Sequence, residues 1–399
     1  MTGTRDLMAR DAACIASTYR RTPVAIVRGE GSLVFDAEGR RYIDMGSGIG
    51  VTAFGHADAP WVSAVTEQLT QVSHTSNLYY TEPCVRLAEL LVNKTSLKKV
   101  FFANSGAEAN ECAIKVARKY AKDKRGIEEP VIVTLTNSFH GRTLTTLAAT
   151  GQEHYHELFR PLTGGFVHVD AGDTEALAAL LDKGNVAAVL LECVQGEGGV
   201  IALEHDYLRR VEAMLRERDV LLMIDEVQTG NGRSGYLYAY MAAGLTPDVV
   251  TTAKGLGGGL PIGCCLLGER VADVLGYGDH GSTFGGNPAA AAGAVSVLSR
   301  LDEPFLAEVR RKSEHIFATL RGAEGIRSVS GAGLMIGIET ERPAAEVVAD
   351  CLAGGVLCLT AKHKVRLLPA LNIDDAVLDE ALAVILSAAG RKTEKGDKV

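Results

Sequence analysis

DEVQTGNGRSG, residues 225–235, and TPDVVTTAKGLGGGLPIG, residues 246–263, decide how this chain reads. Each carries one ionisable residue at the end of a short apolar run: VLLMI (220–224) precedes Asp225, and DVVTTA (248–253) precedes Lys254. Runs of that length, rich in branched side chains, read as buried strands of a parallel sheet. Open α/β sheets place their ligands just beyond the carboxyl ends of such strands. The glycines after Lys254 let backbone pass close to a bound group. Taken singly, Asp225 also reads as a helix cap and Lys254 as a solvated amine.

A carboxylate, a lone lysine and a flexible loop at neighbouring strand ends suit a tethered aromatic cofactor, pyridoxal phosphate. Its aldehyde condenses with a lysine amine, its ring nitrogen stays protonated beside a carboxylate, and its phosphate takes backbone donors at a helix N-terminus. KKVFFANSGAEANECAIKVARKYAK (98–122) offers such a terminus: a strand over 98–103, a turn over 104–106 with Ser105 placed to cap, and a helix whose Ala109, Ala113, Val116, Ala117 and Tyr120 form one stripe. VIVTLTNSFHGRT (131–143) brings Phe139, able to cover a ring, and Arg142, able to grip a carboxylate; ordinary core and a surface ion pair are their alternatives. VAAVLLEC (186–193) ends on Glu192, with Glu197 following in QGEGG, two acids flanked by glycines at a strand end. GDHGSTFGGNP (278–288) leaves the Ser282 and Thr283 hydroxyls available to a phosphate.

Composition bounds the rest. The 399 residues are 47% hydrophobic and 23% charged, ordinary for a globular chain of about two domains. A net charge of −8 argues against a nucleic-acid partner. No apolar run approaches the ~20 residues of a membrane helix, and Asp6 and Asp11 interrupt the first turns where a signal core would stand, so a cytoplasmic location is expected. Eight cysteines without a CxxC pair read as core residues rather than disulfides. HYH (154–156) lacks the three or four ligands of a metal site, and no metal is expected.

RGEGSLVFDAEGRRYIDM (28–45) reads as two strands joined at 36–39, and a helix is expected from Trp61 to about Val72. HTSNLYYTEP (74–83) is irregular and aromatic, as functional or interface loops are. Beyond Arg300 the character shifts: Phe305, Val309, Ile316 and Leu320 keep helical spacing, LMIGIE (334–339) alternates like a half-exposed strand, and KVRLLPAL (364–371) is a strand carrying Arg366. The tail RKTEKGDKV (391–399) is charged and expected to fray. Alternating strands and helices make the fold α/β. GLGGGLPIG lacks the order of a dinucleotide-binding loop and has a proline where a helix should begin.

NSGAEANE, SFHGRT, VQGEGGV, DEVQTG, AKGLGGGLPIG and GSTFGGNP together resemble the class III, fold type I, pyridoxal-phosphate aminotransferases, in that family's order and over about Tyr19 to Leu371. The resemblance implies a large domain with a central, mostly parallel sheet (51–299) and a smaller α+β domain built from both chain ends (1–50 and 300–399). It implies that Lys254 tethers the cofactor and moves protons, that Asp225 pairs with the ring nitrogen, that Val227 packs on the ring, and that Gln228 lies near its phenolic oxygen. Gly106 and Ala107, with Ser105, would take the phosphate; Phe139 would stack on the ring, and Glu192 is counted with the cofactor-binding group. Thr283 would reach the phosphate from a second copy in a homodimer, with Ser282 near the substrate. Arg142 and Tyr19 would hold the α-carboxylate of an amine donor, N-acetylornithine being the expected one. Arg366 would take the α-carboxylate of glutamate or 2-oxoglutarate, masked by Glu197 at other times. Succinyl-diaminopimelate, ornithine and 4-aminobutyrate are the alternative donors, and a relative that holds the cofactor without turnover is a further alternative. Ser234, Ala370 and the loop TAFGH at 52–56 depart from the usual family residues.

Overall fold

The computed structural model describes residues 3–391, so that the tail expected to fray lies, from residue 392 on, outside the described residues. Its centre is a seven-stranded sheet in the order 99–103, 263–267, 249–252, 221–225, 186–191, 131–135 and 166–169. Only Gly263–Leu267 runs antiparallel to its neighbours. Val186–Leu191, Leu221–Asp225 and Val249–Thr252 are buried along their whole length, which their unbroken apolar text requires of strands covered on both faces.

Because six strands are parallel, their carboxyl ends share one edge. That edge receives Ser105–Ala107, Phe139–Arg142, Glu192, Asp225–Gln228 and Lys254. Helix Gly106–Arg125 returns across the sheet on its apolar stripe, where Ala109, Ala113, Val116, Ala117 and Tyr120 are all buried, and Gly126 in the left-handed region (φ 65°) ends it.

The chain ends meet. Arg41–Asp44 pairs in parallel with Val356–Leu357, completing a four-stranded sheet that begins with Ile26–Glu30 and Leu33–Asp36. The stretch 28–45 therefore holds parts of three strands where two were expected; Gly31, with φ 55°, supplies the extra tight turn. A second four-stranded sheet joins Ile326–Ala332, Met335–Thr340, Lys364–Leu367 and Leu359–Ala361. Met335–Thr340 lies inside this sheet and is buried on both faces apart from the partly exposed Glu339, so the alternation read at 334–339 does not mark a half-exposed strand. On the shared sheet of the two ends we propose that 1–50 and 300–399 form one small domain beside 51–299. Among the described residues no helix is long and apolar enough to cross a membrane, and no group of three or more histidine, cysteine or acidic side chains could hold a metal.

Candidate active site

Asp225 ends its strand buried, and three donors hold it. Its Oδ2 accepts hydrogen bonds from Asn110 Nδ2 and His140 Nδ1, each at 2.8 Å, and its Oδ1 accepts from the Val227 backbone N–H at 3.0 Å. A carboxylate has about four acceptor positions, so one remains for a further donor. Asn110 is itself fixed by the Thr251 hydroxyl at 2.7 Å, and Thr251 is the register partner of Asp225 on the adjacent strand. Asn110, His140 and Thr251 were not singled out from sequence. Asn110 had a signal there: a polar residue beside Ala109 on the buried side of a helix.

Lys254 stands two residues past the neighbouring strand and has φ 44°, a left-handed conformation unusual for a residue with a side chain. Its ammonium makes no hydrogen bond or ion pair among the described residues. Desolvation lowers its pKa, with Glu197 and Asp225 pulling weakly the other way, so a larger share of the amine is the neutral nucleophile.

Ser105 caps helix Gly106–Arg125, its Oγ accepting from Glu108 N at 3.2 Å and donating to Glu108 Oε2 at 2.9 Å. Gly106 and Ala107 lie in the first turn, where backbone N–H groups have no intrahelical acceptor. A Cβ at Gly106 would come within 2.6 Å of Val227 Cγ1, so this turn closes directly on the residue two beyond Asp225. Asn104 Nδ2 donates to Ser282 Oγ at 3.2 Å, bringing the 278–287 loop to the same place, while Thr283 on that loop is exposed within its own chain.

Glu192 is buried with both oxygens engaged by backbone, from Phe139 N at 3.0 Å and Gly196 N at 3.2 Å. Burial raises its pKa to about 7 against those two bonds. It fixes the loop that presents Phe139. Glu197 Oε1 lies 2.5 Å from Arg366 Nη1 and accepts from Gln228 Nε2 at 3.2 Å, while Gln228 Oε1 accepts from Arg366 Nη1 at 3.1 Å. Burial acts to raise the Glu197 pKa, but Arg366 outweighs it and the net shift is downward. Arg142, in contrast, is exposed and has no ion pair or hydrogen bond among the described residues; it rests on the rings of Tyr155 and Phe139, 4.3 and 5.7 Å from their centroids. Tyr19 is not brought to these residues within one chain: it is exposed beside Arg21.

A buried carboxylate with one open acceptor position, an unpaired amine just past the next strand and a helix N-terminus closing on Val227 fit a ring with a basic nitrogen, an aldehyde and a phosphate. Fold and site thus define a pyridoxal-phosphate enzyme built on an open α/β sheet. The chain belongs to the class-III aminotransferases, whose family profile matches residues 14–389. It is 52% identical to acetylornithine aminotransferase of Haemophilus ducreyi over 94% of this chain and 96% of that one. With the enzyme of that name from Methanothermobacter thermautotrophicus it shares 45%, over 93% and 95%. Among solved structures, ornithine aminotransferase of Toxoplasma gondii superposes with a TM-score of 0.93 at 31% identity, covering 98% of this chain and 95% of that one. N-acetylornithine aminotransferase of Stenotrophomonas maltophilia does so at 0.82 and 36%, covering 96% and 98%.

Proposed function

We infer that this protein is a pyridoxal-phosphate aminotransferase that moves the terminal amine of N2-acetyl-L-ornithine to 2-oxoglutarate, giving N-acetylglutamate 5-semialdehyde and L-glutamate, a step of arginine biosynthesis. The observation that carries the reading is the contrast between two arginines. Arg366 is covered by Glu197 and Gln228, and Arg142 is bare. An amine donor whose carboxylate lies far from the reacting amine needs one guanidinium; a dicarboxylate acceptor needs a second. The identity of 42–52% with acetylornithine aminotransferases favours the acetylated donor.

The cofactor supplies an electron sink for the carbon that exchanges its amine. In this reading Lys254 would tether it and, once released, would move the proton between the substrate carbon and the cofactor carbon. Asp225, held by Asn110 and His140, would pair with the ring nitrogen. Gly106 and Ala107 would donate backbone N–H groups to the phosphate with Ser105 beside them; Phe139 and Val227 would cover the ring, Gln228 would lie near its phenolic oxygen, and Glu192 orients Phe139. Arg142 takes the donor carboxylate with Tyr19, Arg366 takes the α-carboxylate of the acceptor after Glu197 swings away, and Ser282 lines the substrate space.

Thr283 reaches the phosphate of a second copy in a homodimer. That part rests on its exposure and on the apolar surface beside it: Leu78, Tyr79, Tyr80, Tyr277 and Phe284 are all exposed in the single chain. Eight unpaired cysteines support a reducing, cytoplasmic setting.

The test is a panel of N-acetylornithine, ornithine, succinyl-diaminopimelate and 4-aminobutyrate with 2-oxoglutarate. N-acetylornithine is expected to have the highest kcat/KM. A tenfold preference for any other member would replace it as the donor.

A further inference from the structure

The HYH triplet sits against the bare arginine through Tyr155. Tyr155 ends the short helical turn Glu153–Tyr155, and two buried neighbours fix it. Gln152 Nε2 donates to Ser138 O at 3.1 Å, beside Phe139, and His156 Nε2 lies 2.9 Å from Leu147 O and 2.7 Å from Thr150 O, on the helix that begins just after Arg142. The segment 152–156 is therefore tied to both ends of the loop that carries Phe139 and Arg142. Tyr155 meets Phe139 edge to face, centroids 5.8 Å apart at 69°, and lies under the Arg142 guanidinium at 4.3 Å.

Two carboxylates of this neighbourhood, Glu153 and Glu111, have other partners. Glu153 is taken by Arg160 through one oxygen and by His156 Nδ1 at 3.3 Å through the other. Glu111 accepts from the Thr143 hydroxyl at 2.5 Å. An aromatic face attracts a guanidinium through its quadrupole and uses none of the five N–H donors. A carboxylate neighbour would occupy them.

We propose that Tyr155 is a positioning residue for substrate recognition: its ring holds Arg142 in place with the donors of the guanidinium left free for the substrate carboxylate distal to the reacting amine. This rests on the reading of Arg142 as the carboxylate grip. Tyr155 acts through its ring, and the hydroxyl is dispensable.

Steady-state kinetics of Tyr155→Leu, Tyr155→Phe, Arg142→Ala and the Arg142→Ala/Tyr155→Leu double variant, with N-acetylornithine as varied substrate, test it. Tyr155→Leu is expected to raise KM for the donor about two- to thirtyfold, the range of a cation–π contact, with kcat within about twofold and the melting temperature close to the parent. Tyr155→Phe restores the parent KM, and Tyr155→Leu adds nothing in the Arg142→Ala background. Tyr155→Gln replaces the leucine variant should that one fail to fold. An equal loss from Tyr155→Leu with and without Arg142, equal losses in the Phe and Leu variants, or no loss in the Leu variant while Arg142→Ala raises KM, each overturns the role of Tyr155 alone. A donor KM unchanged in Arg142→Ala overturns the grip itself, and the proposal with it.

Discussion

Glu197 closes over Arg366 at 2.5 Å, with Gln228 hydrogen-bonded to both. One carboxylate thereby neutralises a guanidinium whose buried Nε has no hydrogen-bond partner among the described residues. The pair is stable as a pair; leaving either side alone is costly, about 3–5 kcal/mol for an uncompensated buried charge. Glu197→Ala should therefore leave a standing cation in the site. We expect KM for 2-oxoglutarate to fall and kcat/KM for N-acetylornithine to drop by about tenfold, so that the ratio of the two half-reactions, measured by single-turnover absorbance, shifts toward the dicarboxylate. A variant with an unaltered ratio would show that Glu197 does not mask Arg366.

Lys254→Ala should abolish turnover, since it removes the amine that stands just beyond the strand paired with that of Asp225. The visible absorbance of the tethered cofactor should be lost as well, even with pyridoxal phosphate added in excess. Catalytic cycling in this variant would sink the assignment of Lys254.

Asn110→Ala removes one of the three donors on Asp225 and strands the Thr251 hydroxyl. A lost bond to a buried charged group is worth about 1.5–3 kcal/mol. Cofactor affinity, followed by equilibrium dialysis, should weaken about ten- to a hundredfold, while the apoprotein melts within a few degrees of the parent. An equal fall in apo and holo stability would mean that Asn110 serves the core and not the carboxylate.

Glu226, next to Asp225, is fully buried, and desolvation raises its pKa to about 7, only partly offset by bonds from Thr229 and the Tyr240 backbone. Its folded-state pKa lies above the unfolded value, so its contribution to stability is complete below about pH 4.5 and declines as pH rises through 7. Glu226→Gln should thus be neutral near pH 5 and stabilising by a few kcal/mol near pH 8.5 in urea titrations. The reverse order of the two pH values would contradict the raised pKa.

Thr283→Glu places a carboxylate where a partner phosphate is proposed to sit and should inactivate the enzyme. Hybrid dimers of Thr283→Glu with Lys254→Ala chains would regain one whole site if Thr283 acts across the interface, and activity should return on mixing and refolding. Hybrids as inactive as both parents would place Thr283 in its own subunit's site.

Asp225 and Lys254 were legible from sequence because each ends an apolar run, and strand ends in such sheets are where chemistry collects. The helix after Ser105 was legible through its stripe of small residues. What holds Asp225 was not: Asn110, His140 and Thr251 converge from three elements, and only the sheet order 249–252 beside 221–225 brings them together. Tyr155 drew notice only through the histidines that flank it, which were weighed as metal ligands and set aside, whereas its ring is what meets Arg142. The turn at Gly31 was missed for a local reason, a single residue of positive φ inside EGS.

Strand Lys99–Ala103 lies at one edge of the central sheet, and its sole strand partner there is Gly263–Leu267. During synthesis on the ribosome the strand leading to the turn proposed to hold the phosphate must wait, without its partner in this sheet, until the polypeptide has emerged past Leu267. On the proposed roles, a nascent chain arrested between Lys254 and Gly263 would carry its lysine without a formed cradle to receive the phosphate, which makes cofactor capture a late event in the life of each new chain.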